Sequence, residues 1–287
     1  ALPAITYARK HHVPLLLYCL DIWPESARAH VKSDRGLFYG YLSRLSGRIY
    51  RQCDHIAVTS RPFIDYLNRV HGVPVERMSY IPQHADDSYL ALDLHGDDNG
   101  IFDFMYAGNL GQGQKVDILI RAVAELKHRN DFILHLVGDG SCQEQLAHLA
   151  IELGVQDKVI FHGNQKRSDM PGFYRKADAL LISLRGNNFV GNTLPGKLQA
   201  YMTTGKPIFG AINGAAEVIE EAQCGRCAPA GDYKGLAAIL VDYMDAPEKY
   251  AHCGASGRAY FQAHFTLEQY MKLLTRQFET LQKGTTV

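Results

Sequence analysis

No apolar run in this chain approaches the roughly 20 residues that a membrane-spanning helix needs, and "VPLLLY" falls far short of it. The opening stretch "ALPAITYARKHH" has neither the apolar core nor the cleavage motif of a secretory signal. Charge of one sign is also missing: 30 basic and 30 acidic side chains cancel, so no global field draws nucleic acid or an acidic partner. The balance is uneven locally, with eight basic and three acidic side chains in residues 1–52. Six scattered cysteines in 287 residues are too few for a disulfide scaffold and fit a reducing compartment, so the expected location is the cytoplasm. One CxxC, "CGRC" at 224–227, has no second pair to complete a zinc site and does not open a helix after a strand. Its favoured reading is two buried thiols flanking a helix-terminating Gly225. Internal repeats and low-complexity segments are absent.

What is present is alternation. From residue 101 onward, short apolar strands such as "IFDFMYAG", "FILHLVGDG", "KVIFHGN" and "DALLISL" alternate with amphipathic helices such as "VDILIRAVAELKHR" and "CQEQLAHLAIELG". Strands that are apolar almost throughout belong in a parallel sheet covered on both faces. Six such units predict an open, doubly wound α/β domain over 101–262. Residues 1–85 show the same alternation: helices at 4–12, 35–52 and "PFIDYLNRVHG", strands at "PLLLYCLD", "HIAVTS" and "MSYIPQ". This part opens mid-pattern, which predicts the second half of a further α/β domain whose first strands are missing. Residues 86–100 read as a linker. Residues 263–287 read as a long amphipathic helix, N-capped by Thr266, that packs back toward the N-terminal domain.

In doubly wound sheets, ligands bind outside the carboxyl ends of the strands. The first such loop, "AGNLGQGQK", places Gly108, Asn109, Leu110, Gly111, Gln114 and Lys115 between a strand and a helix. Glycines let the backbone approach a phosphate, and the helix start behind them supplies N–H donors; a tight βα turn is the other reading. It has neither the G-x-G-x-x-G order of dinucleotide sites nor a GK[ST] element. "VGDGS", with Asp139 and Gly140, is a weaker signal because Asp-Gly turns are common. "HGNQKRSDM" offers Asn164, Gln165, Lys166 and Met170 to a nucleobase or ribose, or is a solvated turn. "RGNNFVGNTLPGK" is long for a connection inside a compact domain, and its Asn187, Asn188 and Asn192 carry amides suited to sugar hydroxyls.

The helix behind that loop poses an electrostatic question. Pro195 fits the first turn, and Gly205 with Pro207 ends the run. The first turn carries Lys197 and no Asp or Glu, although the positive end of a helix favours carboxylates. Either Lys197 points to solvent, or the helix start and its lysine form an anion site for a diphosphate shared with the "GNLGQGQK" loop and Lys115.

The series "YAGNLG-x-x-Q", "LVGDG", "VIFHGN", "ADALLISL", "LPGKLQAYMTTGKPI" and "CAPAGD" resembles the C-terminal domain of family 4 retaining glycosyltransferases. "LYCLDIWPESARAH", "GRIYRQCDHIAVTSRPFIDYL" and "SYIPQ" are similar to the later N-terminal domain of those enzymes, in the branch that builds bacterial capsule, O-antigen and exopolysaccharide. The resemblance implies the GT-B architecture, two Rossmann-like domains facing a cleft, the N-terminal one incomplete here. It implies sugar transfer with retention from a UDP- or GDP-sugar to a polysaccharide or lipid-diphosphate-linked saccharide. Many members place an Arg at Asn109, a Lys at Gln114, and glutamates at Asn192 and Ala200; this chain instead matches the "GNxGxxQ" and "P-[SG]-K" variants of the polysaccharide branch. The variant implies donor contacts from Lys197 and the amides around Thr193, Leu194, Pro195 and Gly196, with no metal or cofactor. Where many members have a strand-end His at Leu20, this chain offers Asp21, the candidate for acceptor positioning or proton uptake, with an N-cap or turn role as the alternative. Lys197 and Asp21 are thus the expected catalytic pair. Other classes left open are a non-catalytic nucleotide-sugar-binding module or partner subunit, and a GT-B nucleotide-sugar epimerase. The stretch "RGLFYGYLSRLSGRIYRQ" interleaves basic and aromatic residues, which fits core packing or contact with an anionic membrane surface at the inner face of the plasma membrane.

Overall fold

The structure is a computed structural model that describes residues 1–28, 36–96, 99–186 and 193–284. Contacts divide it into two units, one of Ala1–His84, Asn192–Leu194 and His264–Val287, the other of Ala85–Gly191 and Pro195–Ala263.

The first unit holds a parallel sheet in the order β1 (Leu16–Cys19), β2 (His55–Val58), β3 (Met78–Tyr80). Register runs Leu16 to His55 and Ile56 to Met78. Ile56, Ala57 and Val58 are fully buried, as expected of a central strand covered on both faces. Helices α1 (Leu2–His11), α2 (Glu25–Arg28), α3 (Leu37–Gln52) and α4 (Pro62–His71) surround it. Pro62 pre-sets the first turn of α4, and Gly72, at φ +65°, closes it in the left-handed region. The last helix, α12 (Leu267–Gly284), groups with this unit, and its Tyr270 ring meets those of Tyr18 at 5.8 Å and His84 at 5.2 Å. Its first turn is capped by the Thr266 hydroxyl, which accepts from the Gln269 amide at 3.3 Å.

The second unit is a six-stranded, all-parallel sheet in the order β6 (Val159–Gly163), β5 (Phe132–Val137), β4 (Phe102–Ala107), β7 (Ala179–Ser183), β8 (Ile208–Ala211), β9 (Gly225–Ala228). Counted from β4, that is the 3-2-1-4-5-6 order of a Rossmann sheet, with its switch point between β4 and β7. Helices α5 (Asp117–Glu125), α6 (Gln143–Glu152), α7 (Met170–Lys176), α8 (Gly196–Thr204), α9 (Ala216–Glu221), α10 (Tyr233–Asp245) and α11 (Cys253–His264) complete it. Leu119 and Val123 of α5 pack with Leu134 and Leu136 of β5, Phe209 of β8 and Leu240 of α10 in one core. Each such fully buried side chain contributes about 1.5–3 kcal/mol over exposure.

Three local readings change. Pro195 is the N-cap of α8, with Gly196 the first helical residue, one position later than its sequence placement. Gly225 does not end a helix: α9 stops at Glu221, and Gly225 opens β9 against the β8 backbone, where a Cβ would lie 1.7 Å from the Ile208 carbonyl oxygen. Of the two CGRC thiols, Cys224 is fully buried and Cys227 half-buried, and burial raises both thiol pKa values. Helix α11 has no counterpart in the sequence reading. Its Gly254 and Gly257 lower helix propensity, yet a Cβ at Gly254 would lie 1.9 Å from the Gly205 carbonyl oxygen, so close packing demands glycine there.

Candidate functional site in the second unit

The carboxyl ends of β4, β5 and β6 are laced together through backbone. Gly108 N–H donates to the Val137 carbonyl at 2.9 Å, Leu110 N–H to Asp139 at 2.8 Å, and Gly138 N–H to Gly163 at 2.8 Å. Only glycine permits this stack. Gly138 sits at φ +130° with its virtual Cβ 2.0 Å from the Gly108 carbonyl oxygen, and Gly108 itself is at φ +147°. Above the laced ends lies a cavity of about 520 Å³. Its walls include Gly108, Asn109, Asp139, Asn164, Gln165 and Met170, six residues singled out in the sequence.

Gln165 is held in place by its amide donating to the His162 carbonyl at 2.6 Å. His162 in turn meets His135 at 2.9 Å, and the buried His135 meets the Asp103 carboxylate at 2.6 Å. Desolvation, with His135 and Lys176 nearby, lowers the His162 pKa, and the ring meets that of Phe173 of α7 edge-on at 5.0 Å. Asp103, His135 and His162 were not singled out in the sequence, where they read as polar interruptions of apolar strands.

At the switch point, Ser183 at the end of β7 donates to the Gln114 carbonyl at 2.7 Å, and Arg185 N–H donates to Gly113 at 3.0 Å. The glycine loop is therefore tied to the strand that leads into α8. Tyr201 of α8 reaches back to β4, accepting from Ala107 N–H at 2.7 Å and donating to its carbonyl at 3.0 Å. These bonds fix the start of α8 over the glycine loop, and there Lys197 points inward. Its amine lies 3.9 Å from the centre of the Tyr106 ring and donates to the Tyr106 hydroxyl. That hydroxyl donates to the Asn109 carbonyl at 2.8 Å. Among the described residues no carboxylate pairs with Lys197, and burial pulls its pKa down to about 7. A cation without a counter-charge, beside glycine amides and a helix N-terminus, is an arrangement complementary to an anion.

Other singled-out residues fall elsewhere. The Leu110 side chain is buried in the core, so only its backbone faces the loop. Lys115, at φ +50°, pairs with Asp117 at 3.0 Å and with Gly111 lines a separate cavity of about 530 Å³. Lys166 is exposed, and Gly140 N–H is taken by the Asp139 carboxylate at 2.6 Å. Thr193 and Leu194 group with the first unit, and Asn187, Asn188 and Asn192 lie outside the described residues. Asp21 also belongs to the first unit, exposed two residues beyond β1, on a cavity of about 350 Å³ shared with Leu20, Trp23 and Tyr50. Glu25, nearby in sequence, is occupied: it accepts from the Tyr39 hydroxyl at 2.5 Å and from Tyr66 at 2.6 Å.

A family description, "Glycosyl transferases group 1", matches residues 95–260, more than half of the chain. The chain belongs to the group 1 glycosyltransferases. Among its relatives, the GDP-mannose-dependent alpha-(1-6)-phosphatidylinositol monomannoside mannosyltransferase of Mycolicibacterium smegmatis is 28% identical over 159 residues, 54% of this chain and 40% of that protein. The lipopolysaccharide 1,6-galactosyltransferase of Escherichia coli is 26% identical over 200 residues, 66% of this chain and 52% of its own length. The chain thus spans about half or less of the relatives it matches. Among solved structures, Anabaena Alr3699/HepE in complex with UDP superposes with a TM-score of 0.78 at 18% identity, over 96% of this chain and 75% of that one. The shared fold is GT-B, with parallel sheets and helices on both faces, as the sequence motifs implied.

Proposed function

We propose that this group 1 glycosyltransferase chain transfers a sugar, with retention, from a UDP- or GDP-sugar to a polysaccharide or lipid-linked saccharide. The observation that carries the reading is Lys197, which faces inward at the start of α8 beside the glycine loop with no carboxylate partner among the described residues. In this reading the diphosphate lies against the Gly108 backbone and the first amides of α8, and the nucleoside lies in the cavity bounded by Asp139, Asn164 and Gln165. Departure of the nucleoside diphosphate concentrates negative charge on its terminal phosphate. Lys197 and the α8 dipole stabilise that charge, which is the main protein contribution if the departing oxygen takes the acceptor proton. Asp21, in the first unit, orients the acceptor. The structures of Anabaena Alr3699/HepE, of the same fold, with UDP and with UDP-glucose support the donor class.

No helix among the described residues is long and apolar enough to cross a membrane. Contact with an anionic membrane surface is assigned to α3, where Phe38 is 69% and Tyr41 60% exposed on the side that also shows Arg44 and Arg48. Salt-sensitive co-sedimentation with anionic vesicles is the expected result; its absence removes that assignment. For the reaction itself, Lys197→Ala is expected to remove most release of UDP or GDP from nucleotide sugars, in chelator-treated buffer as in untreated buffer. Near-normal turnover in the variant would contradict the proposal.

A further inference from the structure

The Lys197 amine has an unusual neighbourhood. From β4 it faces the ring and hydroxyl of Tyr106; from the loop after β4 it faces the Gly108 backbone, where a virtual Cβ would lie 3.0 Å from Nζ. Tyr106 is fully buried, and its hydroxyl is committed to the Asn109 carbonyl, with Gln114 Oε1 further off at 3.4 Å. Elsewhere on α8 and the glycine loop the polar side chains are engaged: Tyr201 is bonded to Ala107, and Lys115, on its separate cavity, is paired with Asp117. The burial of Tyr106 and Tyr201 raises both phenol pKa values, so neither supplies an anion near neutral pH. One side chain therefore bridges the glycine loop and the amine of α8, and among the described residues no carboxylate pairs with that amine.

We infer that Tyr106 is a positioning residue that holds the Lys197 amine against the glycine loop, and that nucleotide-sugar binding there draws a proton onto whatever fraction of Lys197 is neutral at the working pH. The inference rests on the donor-site reading above. An amine buried without a counter-ion is disfavoured as ammonium, and burial alone brings its pKa to about 7. A diphosphate supplies the missing negative charge and restores the ammonium. The proton comes from solvent and stays on Nζ, with no bond made or broken in the donor. By linkage, affinity then falls as pH rises through the free-state pKa, and proton uptake on binding grows over the same range.

The test is calorimetric titration of the full chain with UDP-glucose and with GDP-mannose, whose diphosphate diesters do not titrate between pH 6 and 8. Runs in two buffers of different ionisation enthalpy count protons. At pH 8 the expected uptake is about 0.9 proton per nucleotide sugar bound, falling to about 0.1 at pH 6. Tyr106→Phe keeps the ring and removes the hydroxyl; it is expected to weaken binding about tenfold at pH 8 and less at pH 6, because the amine loses an acceptor that favours its charged form. Lys197→Gln is expected to bind weakly with no proton uptake at either pH. Binding by the wild type without proton uptake at pH 8 would overturn the inference and leave the donor site standing. Failure of both nucleotide sugars to bind would overturn the donor reading, and the inference with it.

Discussion

The two units repeat the same strand–helix alternation but finish their strands differently. In the second, the loops after β4, β5 and β6 are laced by backbone hydrogen bonds through glycines at 108 and 138, which leaves side chains such as Asn109, Asp139 and Gln165 to line a cavity. Its Lys197 amine is turned inward without a carboxylate partner among the described residues. In the first unit, the buried carboxylate Glu25 is satisfied by two tyrosine hydroxyls, and the exposed Asp21 shares its cavity with Leu20 and Trp23, which are 48% and 52% exposed. The difference teaches a division of chemistry. In the proposed reading, the glycine-laced backbone beside the inward-facing Lys197 takes the diphosphate, and the exposed Asp21 takes the acceptor.

The contrast breaks most severely at Gly138. An alanine there would drive its Cβ into the Gly108 carbonyl, and Gly138→Ala is expected to cost about 3 kcal/mol in denaturant unfolding and to abolish nucleotide-sugar binding. Next is the tie between α8 and β4. Tyr201→Phe strands the buried Ala107 amide, for an expected loss of about 2 kcal/mol by the same measurement and weaker donor binding. In the first unit the expected effects separate from donor binding. Asp21→Asn should slow transfer to acceptor about tenfold, on the order of one general-acid–base or positioning contact, with hydrolysis of the nucleotide sugar unchanged. Thr266→Ala removes the cap of α12 and should cost about 1 kcal/mol without altering donor affinity.

The smallest expected effect sharpens the comparison through pH. Burial lowers the folded-state pKa of Lys197 from 10.5 to about 7, so between these values the unfolded chain binds more protons than the folded one. Stability contributed at this site therefore rises with pH across that window. Lys197→Met should raise the melting temperature near pH 7 by a few degrees and flatten its rise toward pH 9, a gain in stability at the expense of the anion site.

Much of this was legible in the sequence, for identifiable reasons. Strands apolar almost throughout, separated by amphipathic helices, specify a doubly wound sheet, and the glycine loop and Lys197 stand out because each departs from what a plain βα unit requires. Tyr106 and Tyr201 did not stand out. In "FDFMYAG" and "KLQAYM" each tyrosine continues an apolar pattern, and only the fold shows that both hydroxyls end at the site. Helix α11 was hidden by its own glycines, whose value lies in a contact with a distant turn at Gly205. The pairing of Lys115 with Asp117, two residues on, likewise shows only in the fold.

The central claim is that donor recognition resides in the second unit and depends on Lys197. Its most direct test is titration of UDP-glucose and GDP-mannose into wild type, Lys197→Ala and Asp21→Asn at pH 7. The account predicts that Lys197→Ala weakens the preferred donor on the order of 100-fold while Asp21→Asn stays within about twofold of wild type. Equal affinity in wild type and Lys197→Ala would contradict it.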